Sequence, residues 1–284
     1  MHPPAKDQST DFSELDERTL VARAQEGEEK AIAELLSRYQ GRIYRFGMRM
    51  CSGREDAEDV LQETLLAMAR SIRTFRGASS LSTWLYSIAR SQCIKKRARE
   101  RRNVDVALGV NAPGARSAAE DDSPLPDQVV SDAEIGNILN HAISSLDDGQ
   151  REVLVLRDVE GLSAGEVADV VGVSVDAVKS RLHRARLAVR ERVAPHLAEF
   201  RTPAPREAAC PDVLMLFSRH QEGEISADLC AEMEKHLETC AGCRDACGSL
   251  QKTLALCHAS TAPHVPDALQ ESVRHSLREI LLQK

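Results

Sequence analysis

The sequence predicts an all-α fold: two helical domains joined by a flexible linker, followed by a small helical domain rich in Cys and His. Three observations carry this. Aromatic residues make up only 3% of the 284 positions. Ala, Leu, Arg and Glu are abundant while β-branched runs are few. Apolar residues recur at three- and four-residue steps, the period of a helix with one buried face.

Residues 1–15 are polar and are expected to be a disordered tail. Helical patterning begins near Glu17 and defines a first domain at 16–103. Ala31, Leu35, Leu36, Tyr39, Ile43 and Phe46 mark one helix, and Ala57, Val60, Leu61, Thr64, Leu65 and Met68 a second. Ser52-Gly53 separates the two, because glycine and serine interrupt a helix. Phe75-Arg76-Gly77-Ala78-Ser79 then breaks the second helix from a third, expected over about Ser80 to Arg102. Residues 104–131 lose the period and read as an acidic, flexible linker, with Gly109, Pro113 and Gly114 followed by Glu120-Asp121-Asp122-Ser123-Pro124. Helices resume over 132–200, Pro203 and Pro205 mark a short linker at 201–209, and a cysteine-rich segment occupies 210–258. The stretch 259–284 opens with Pro263 and Pro266 and ends in an amphipathic helix carrying Leu269, Val273, Leu277, Ile280 and Leu281 on one face.

Charge narrows the functional classes. A formal net charge of -7 means the molecule as a whole is not drawn to nucleic acid, so any DNA contact must come from local basic patches. No apolar run approaches the roughly 20 residues of a membrane span, and Met1 to Thr10 has no signal-peptide core, so a cytoplasmic location without membrane contact is expected. Six of the eight cysteines fall between Cys210 and Cys257. In a reducing compartment such a cluster points to metal or redox chemistry more than to a disulfide framework.

The sharpest local pattern runs from Leu162 to Leu182. Ser163 caps one helix, Gly172 supplies the left-handed turn that ends it, and Ser174 caps the next. Val167, Ala168, Val173, Val178 and Leu182 form the inner face of a helix-turn-helix. Between Ser174 and Arg192 there are six Lys/Arg against two acids, so the outer face is basic. Laid in a major groove, this helix presents Lys179, Ser180, Arg181, His183 and Arg184 to base edges and phosphates. The third helix of the first domain is basic as well: Lys95, Lys96 and Arg97 belong to a run of seven Lys/Arg facing one acid between Arg90 and Arg102. Trp84 and Tyr86 on that helix are able to stack on bases, although Trp84 is expected in the core.

His236-Leu237-Glu238-Thr239-Cys240-Ala241-Gly242-Cys243 has the spacing of a metal site. His236 and Cys240 share a helix face, Gly242 is expected to let the chain turn and bring Cys243 round, and Cys210 completes a tetrahedral Cys3His set. Such donors suit Zn(II), and also Cu(I) or Cd(II). Cys230, Cys247 and Cys257 exceed four ligands and are candidates for a further or rearranged site, with His220 and His264 expected to be exposed bystanders.

At this point the chain resembles a known family. Asp56-Ala57-Glu58-Asp59-Val60-Leu61-Gln62-Glu63-Thr64 and Phe75 through Arg90 look like region two of extracytoplasmic-function RNA polymerase sigma factors. Leu146 through Leu154, with the helix-turn-helix to Arg186, looks like region four. The resemblance implies that Asp56, Asp59, Gln62 and Glu63 dock on core RNA polymerase. It also implies that the loop Phe75 to Ser80 and the basic helix open the downstream element of promoter DNA, and that region four reads the upstream element. Cys210-Pro211-Asp212, Glu222-Gly223-Glu224-Ile225-Ser226 and His236 to Cys243 resemble the zinc-binding domain of anti-sigma factors, here fused to the sigma chain. The surplus of cysteines looks like the CorE-like sigma factors, which implies activity controlled by metal. Two other classes compete: a helix-turn-helix regulator acting without polymerase, and a thiol oxidoreductase using Cys240-x-x-Cys243. The second lacks the strand pattern that flanks such motifs in redox enzymes.

Overall fold

The computed structural model describes residues 11–51, 53–108, 132–200, 204–206, 210–260 and 264–282, and every regular element among them is helical. The first helices are α1 (Glu17–Gln25), α2 (Glu29–Met50), α3 (Arg54–Ser71) and α4 (Leu81–Leu108). They are followed by α5 (Asp132–Ser144), α6 (Asp148–Leu154), α7 (Ala164–Val171) and α8 (Val175–Val193). The C-terminal helices are α9 (Val213–Gln221), α10 (Ala227–Thr239), α11 (Ala241–Ala259) and α12 (Asp267–Leu282). The chain divides into two compact units, Met1–Ile94 with Ala262–Lys284, and Lys95–Thr261.

In the first unit, Asp16 caps α1 by accepting from the Thr19 backbone N–H at 2.9 Å. Extended backbone at Cys51 and Gly53 ends α2 and starts α3, where the Ser52-Gly53 signal predicted a break. Leu35, Ile43, Phe46, Leu61, Leu65, Met68, Leu85 and Tyr86 are fully buried. Each such side chain contributes about 1.5–3 kcal/mol by leaving water. The terminal helix α12 packs on α3, burying Val273 and Leu277 of the apolar face read from the sequence.

Four expectations need correction here. The tail is ordered from Asp11, whose carboxylate accepts from Ser13 and starts a 3-10 turn over Phe12–Glu14; residues 1–10 lie outside the described residues. Helix α4 does not stop at Arg102 but runs to Leu108, because Gly109 is the first helix breaker after it. The remainder of the expected linker, 109–131, lies outside the described residues. Tyr86 cannot stack on bases, since it is fully buried against Phe46 with ring centroids 5.5 Å apart. Trp84 is half-buried and packs on Phe75 at 5.2 Å, so it belongs neither to the deep core nor to open solvent.

In the second unit the helix-turn-helix forms from its caps. Ser163 and Glu166 make a reciprocal capping box on α7, Gly172 has φ of +75° at its end, and Ser174 accepts from the Ala177 N–H to start α8. Between α6 and α7, Val155–Val159 forms a π-helical turn in which the Glu160 N–H donates to the Val155 carbonyl at 2.9 Å. Val213, Leu214, Cys243, Ala246, Cys247, Leu250 and Leu254 form a core under α9 and α11, and Leu187 of α8 packs against it. The cysteine-rich helices therefore share apolar surface with the helix-turn-helix.

Candidate metal centre and DNA-reading helix

Cys210, His236, Cys240 and Cys243 come together, with one ligand atom from each lying within 4.8 Å of the others. Helix α10 brings His236, and the chain bends at Cys240, whose extended backbone (φ -106°, ψ 105°) lies between α10 and α11. Cys243 then sits in the first turn of α11. The bend is not at Gly242, as the sequence suggested, because Gly242 is already helical. Its missing side chain serves a close approach instead: a Cβ there would lie 2.4 Å from the Pro205 carbonyl oxygen.

The donor set fits a tetrahedral metal ion. The Cys210 and Cys240 sulfurs are 3.7 Å apart, and two thiolates each about 2.3 Å from a tetrahedral centre are separated by about 3.8 Å. His236 Nε2 is buried with no hydrogen-bond partner, an arrangement that is costly unless something ligates it. The two helix-end thiols differ. The Cys243 N–H, donating to Cys240, holds that thiol below its usual range, while burial pushes Cys243 up to about 11.

The surplus cysteines are not gathered into this cluster. Cys247 and Cys257 are buried in the apolar interior, and burial raises the Cys247 thiol to about 11, as befits an inert core residue. Cys230 lies on α10, 3.8 Å from His220 Nδ1 and 3.7 Å from Glu234. His264 is exposed, as expected, 3.4 Å from Asp267.

On α8, Ser180 and Arg184 are exposed and Arg181 is half-buried. Lys179 and His183 instead face α9. Lys179 Nζ pairs with Glu224 at 2.6 Å, and both residues line a cleft of about 380 Å³ with His183, Arg184, Met215 and Arg219. One helical turn further along, Arg186 is fully buried: it makes a bidentate pair with Asp158 at 2.7 and 2.8 Å and reaches Glu222 at 2.7 Å. Arg157 also reaches Glu222, at 3.1 Å. Sequence reading missed Asp158, Arg186, Glu222 and Glu224 as a unit. The only signal was that Glu222-Gly223-Glu224 is a charged turn beside a basic helix.

Comparison with known proteins decides the family. Family models match residues 35–103 ("Sigma-70 region 2"), 136–189 ("Sigma-70, region 4") and 210–244 ("Putative zinc-finger"). The ECF RNA polymerase sigma-E factor of Haemophilus influenzae is 32% identical over 193 residues, which are 64% of this chain and 97% of that protein. The chain belongs to the extracytoplasmic-function (ECF) RNA polymerase sigma factors. The ECF RNA polymerase sigma factor SigW of Bacillus subtilis is 30% identical over 61% of this chain and 94% of its own length. Among solved structures, the sigma factor RpoE in complex with the anti-sigma factor NepR from Bartonella quintana covers 57% of this chain and 96% of its own, at 25% identity and a TM-score of 0.46.

As an ECF sigma factor the protein binds core RNA polymerase and promoter DNA to initiate transcription, and it is not an enzyme. Both the polymerase-independent regulator and the thiol oxidoreductase are thereby set aside. No helix among the described residues is long and apolar enough to cross a membrane. On α3 of this sigma factor, Asp59 and Glu63 are exposed while Asp56 and Gln62 are half-buried. Gln62 Nε2 lies 3.4 Å from Ser272 Oγ, so α12 abuts the same side of α3. On α4, Lys95 is exposed, Lys96 is half-buried, and Arg97 is paired with Asp148.

Proposed function

We propose that this ECF sigma factor is restrained by its own C-terminal segment, and that a metal ion held there sets the strength of the restraint. The observation that carries this reading is the 2.6 Å pair between Lys179 on the DNA-reading helix and Glu224 in the turn between α9 and α10. A carboxylate on Lys179 takes the position a DNA phosphate would occupy, so the two compete for the same ammonium.

In this reading Lys179, Ser180, Arg181, His183 and Arg184 read the upstream promoter element. Lys95, Lys96 and Arg97 follow the downstream DNA backbone, and Asp56, Asp59, Gln62 and Glu63 dock on polymerase. The functional segments are 16–103, 132–200 and 210–258. Cys210, His236, Cys240 and Cys243 hold one Zn(II), which supplies a structural cross-link and no reaction. Cu(I) and Cd(II) suit the same donors and are the alternatives to test as the regulating ion. Cross-linking fixes the start of α11 to the end of α10, and for so small a segment metal binding is largely folding free energy. A folded α9–α10 turn keeps Glu224 on Lys179. Among the surplus thiols Cys230 is the one with access to solvent, which makes it the first to examine for any graded metal response.

The test is promoter binding and reconstituted transcription with core polymerase, for the zinc-loaded chain, the chelated chain, copper- and cadmium-loaded chains, and Glu224→Gln. Restraint requires tighter promoter binding after chelation and a similar gain in zinc-loaded Glu224→Gln. Equal promoter affinity and transcription in every metal state would end the proposal of metal control, and unchanged affinity in Glu224→Gln would remove the Lys179 contact as its means.

A further inference from the structure

The two cysteines outside the metal-binding segment meet. Cys51, the residue that ends α2, and Cys93, on α4, are 42 positions apart in sequence, yet their sulfurs lie 2.6 Å from each other. Carbon atoms in van der Waals contact rest about 3.5–4.0 Å apart and sulfur is larger than carbon, so these sulfurs are closer than apolar packing alone brings them. Neither is a member of the Cys210 cluster, whose set of ligands closes with four donors.

We propose that Cys51 and Cys93 form a reversible dithiol/disulfide site inside region two, with a peroxide as the oxidant. Cys51 is half-buried and Cys93 is 2% exposed, so Cys51 is the sulfur that the oxidant meets first. Its thiolate attacks one peroxide oxygen, the O–O bond breaks, and the departing hydroxide takes up the proton that the Cys51 thiol had released, so that a sulfenic acid and one water result. The Cys93 sulfur then attacks the Cys51 sulfur, the S–O bond breaks, and the second water leaves with the Cys93 proton. In sum two thiols and one hydrogen peroxide give one disulfide and two waters, with the two electrons passing from sulfur to oxygen. The bond closes a loop from the end of α2 to α4 across a contact already made by Phe46 and Tyr86. It fastens α4 immediately before Lys95-Lys96-Arg97.

The experiment uses the full, zinc-loaded chain treated with hydrogen peroxide in slight excess. Remaining thiols are alkylated, and the digest is read by mass spectrometry. The expected product is a linked pair of peptides carrying Cys51 and Cys93, two hydrogens lighter than the separate peptides and separated again by dithiothreitol. The oxidised chain should unfold at a higher temperature, by about 5 °C or more for the first unit, an advantage that reduction removes. In Cys93→Ser the linked pair disappears and a dimedone-reactive sulfenic acid accumulates at Cys51. Full alkylation of Cys51 and Cys93 in the parent after peroxide treatment, or linkage of Cys51 to a cysteine of the metal-binding segment, overturns the proposal. Because these readouts come from the parent chain, they hold even if a variant folds poorly.

Discussion

Gly242 and Pro205 approach so closely that any side chain on Gly242 would collide with backbone: a Cβ would lie 2.4 Å from the Pro205 carbonyl oxygen and 2.8 Å from that of Ala204. The segment before Cys210 is held at this place by the Ala204 N–H donating to Asp245 at 2.9 Å. Gly242→Ala is therefore expected to push 204–205 off α11 and to destabilise the second unit by about 1–3 kcal/mol. Denaturant unfolding measures the loss. A neutral result would show that the approach is not needed.

The buried pair of Asp158 and Arg186 makes a second prediction. Removing one charge of a buried pair leaves the other uncompensated, at a cost of roughly 3–5 kcal/mol. Asp158→Ala is expected at the lower end of that range, since Arg186 keeps Glu222 and the Ser218 carbonyl. Thermal unfolding of the variant beside the parent checks it. A loss under about 1 kcal/mol, the usual range of an exposed pair, would mean that the site is wetter than its burial indicates.

Cysteine replacements should separate into two classes. Cys240→Ser removes a ligand and is expected to lose bound zinc together with the helical signal of α10 and α11. Cys247→Ala removes one buried atom from the apolar cluster, so it should keep one zinc per chain and lose only about 1 kcal/mol of stability. Metal counting with circular dichroism distinguishes them. Zinc retention in Cys240→Ser would take that residue out of the ligand set.

The fourth prediction concerns pH. His183 is held below its usual pKa first by burial against α9, with Arg186 and Arg184 acting the same way and Asp212 opposing them. The unfolded chain thus binds this proton more readily than the folded one. The contribution of His183 is complete above about pH 6.5 and is lost as pH falls below that value. Unfolding midpoints of the parent should drop more steeply than those of His183→Gln between pH 6.5 and pH 5. Parallel curves would show that the ring takes up its proton in the folded chain as readily as in the unfolded one.

Local features of this fold were legible because their causes are local. The caps at Ser163 and Ser174 and the left-handed Gly172 depend on a few neighbouring residues, and the His236 to Cys243 spacing carries its own geometry. Family resemblance supplied what spacing does not, namely the polymerase and promoter roles. The pairs Glu224 with Lys179 and Glu222 with Arg186 join residues 45 and 36 positions apart, and no periodicity connects them. Cys51 and Cys93 stayed apart in the reading for the same reason. The extension of α4 to Leu108 was legible in principle, since Asn103 to Leu108 contains neither Gly nor Pro.

The π-helical turn at Val155–Val159 also places a constraint on chain length. Its extra residue lets Asp158 point at Arg186 while α6 keeps its own buried face, Val153 and Leu154, inward. Deleting any one residue here would close the turn as an ordinary α-helix and rotate one side of it by about 100° against the other. Either the carboxylate or the apolar face would then swing outward. Over these few positions side chains of similar kind can be exchanged, but the number of residues is fixed, so a single-codon deletion should be less well tolerated than most single substitutions nearby.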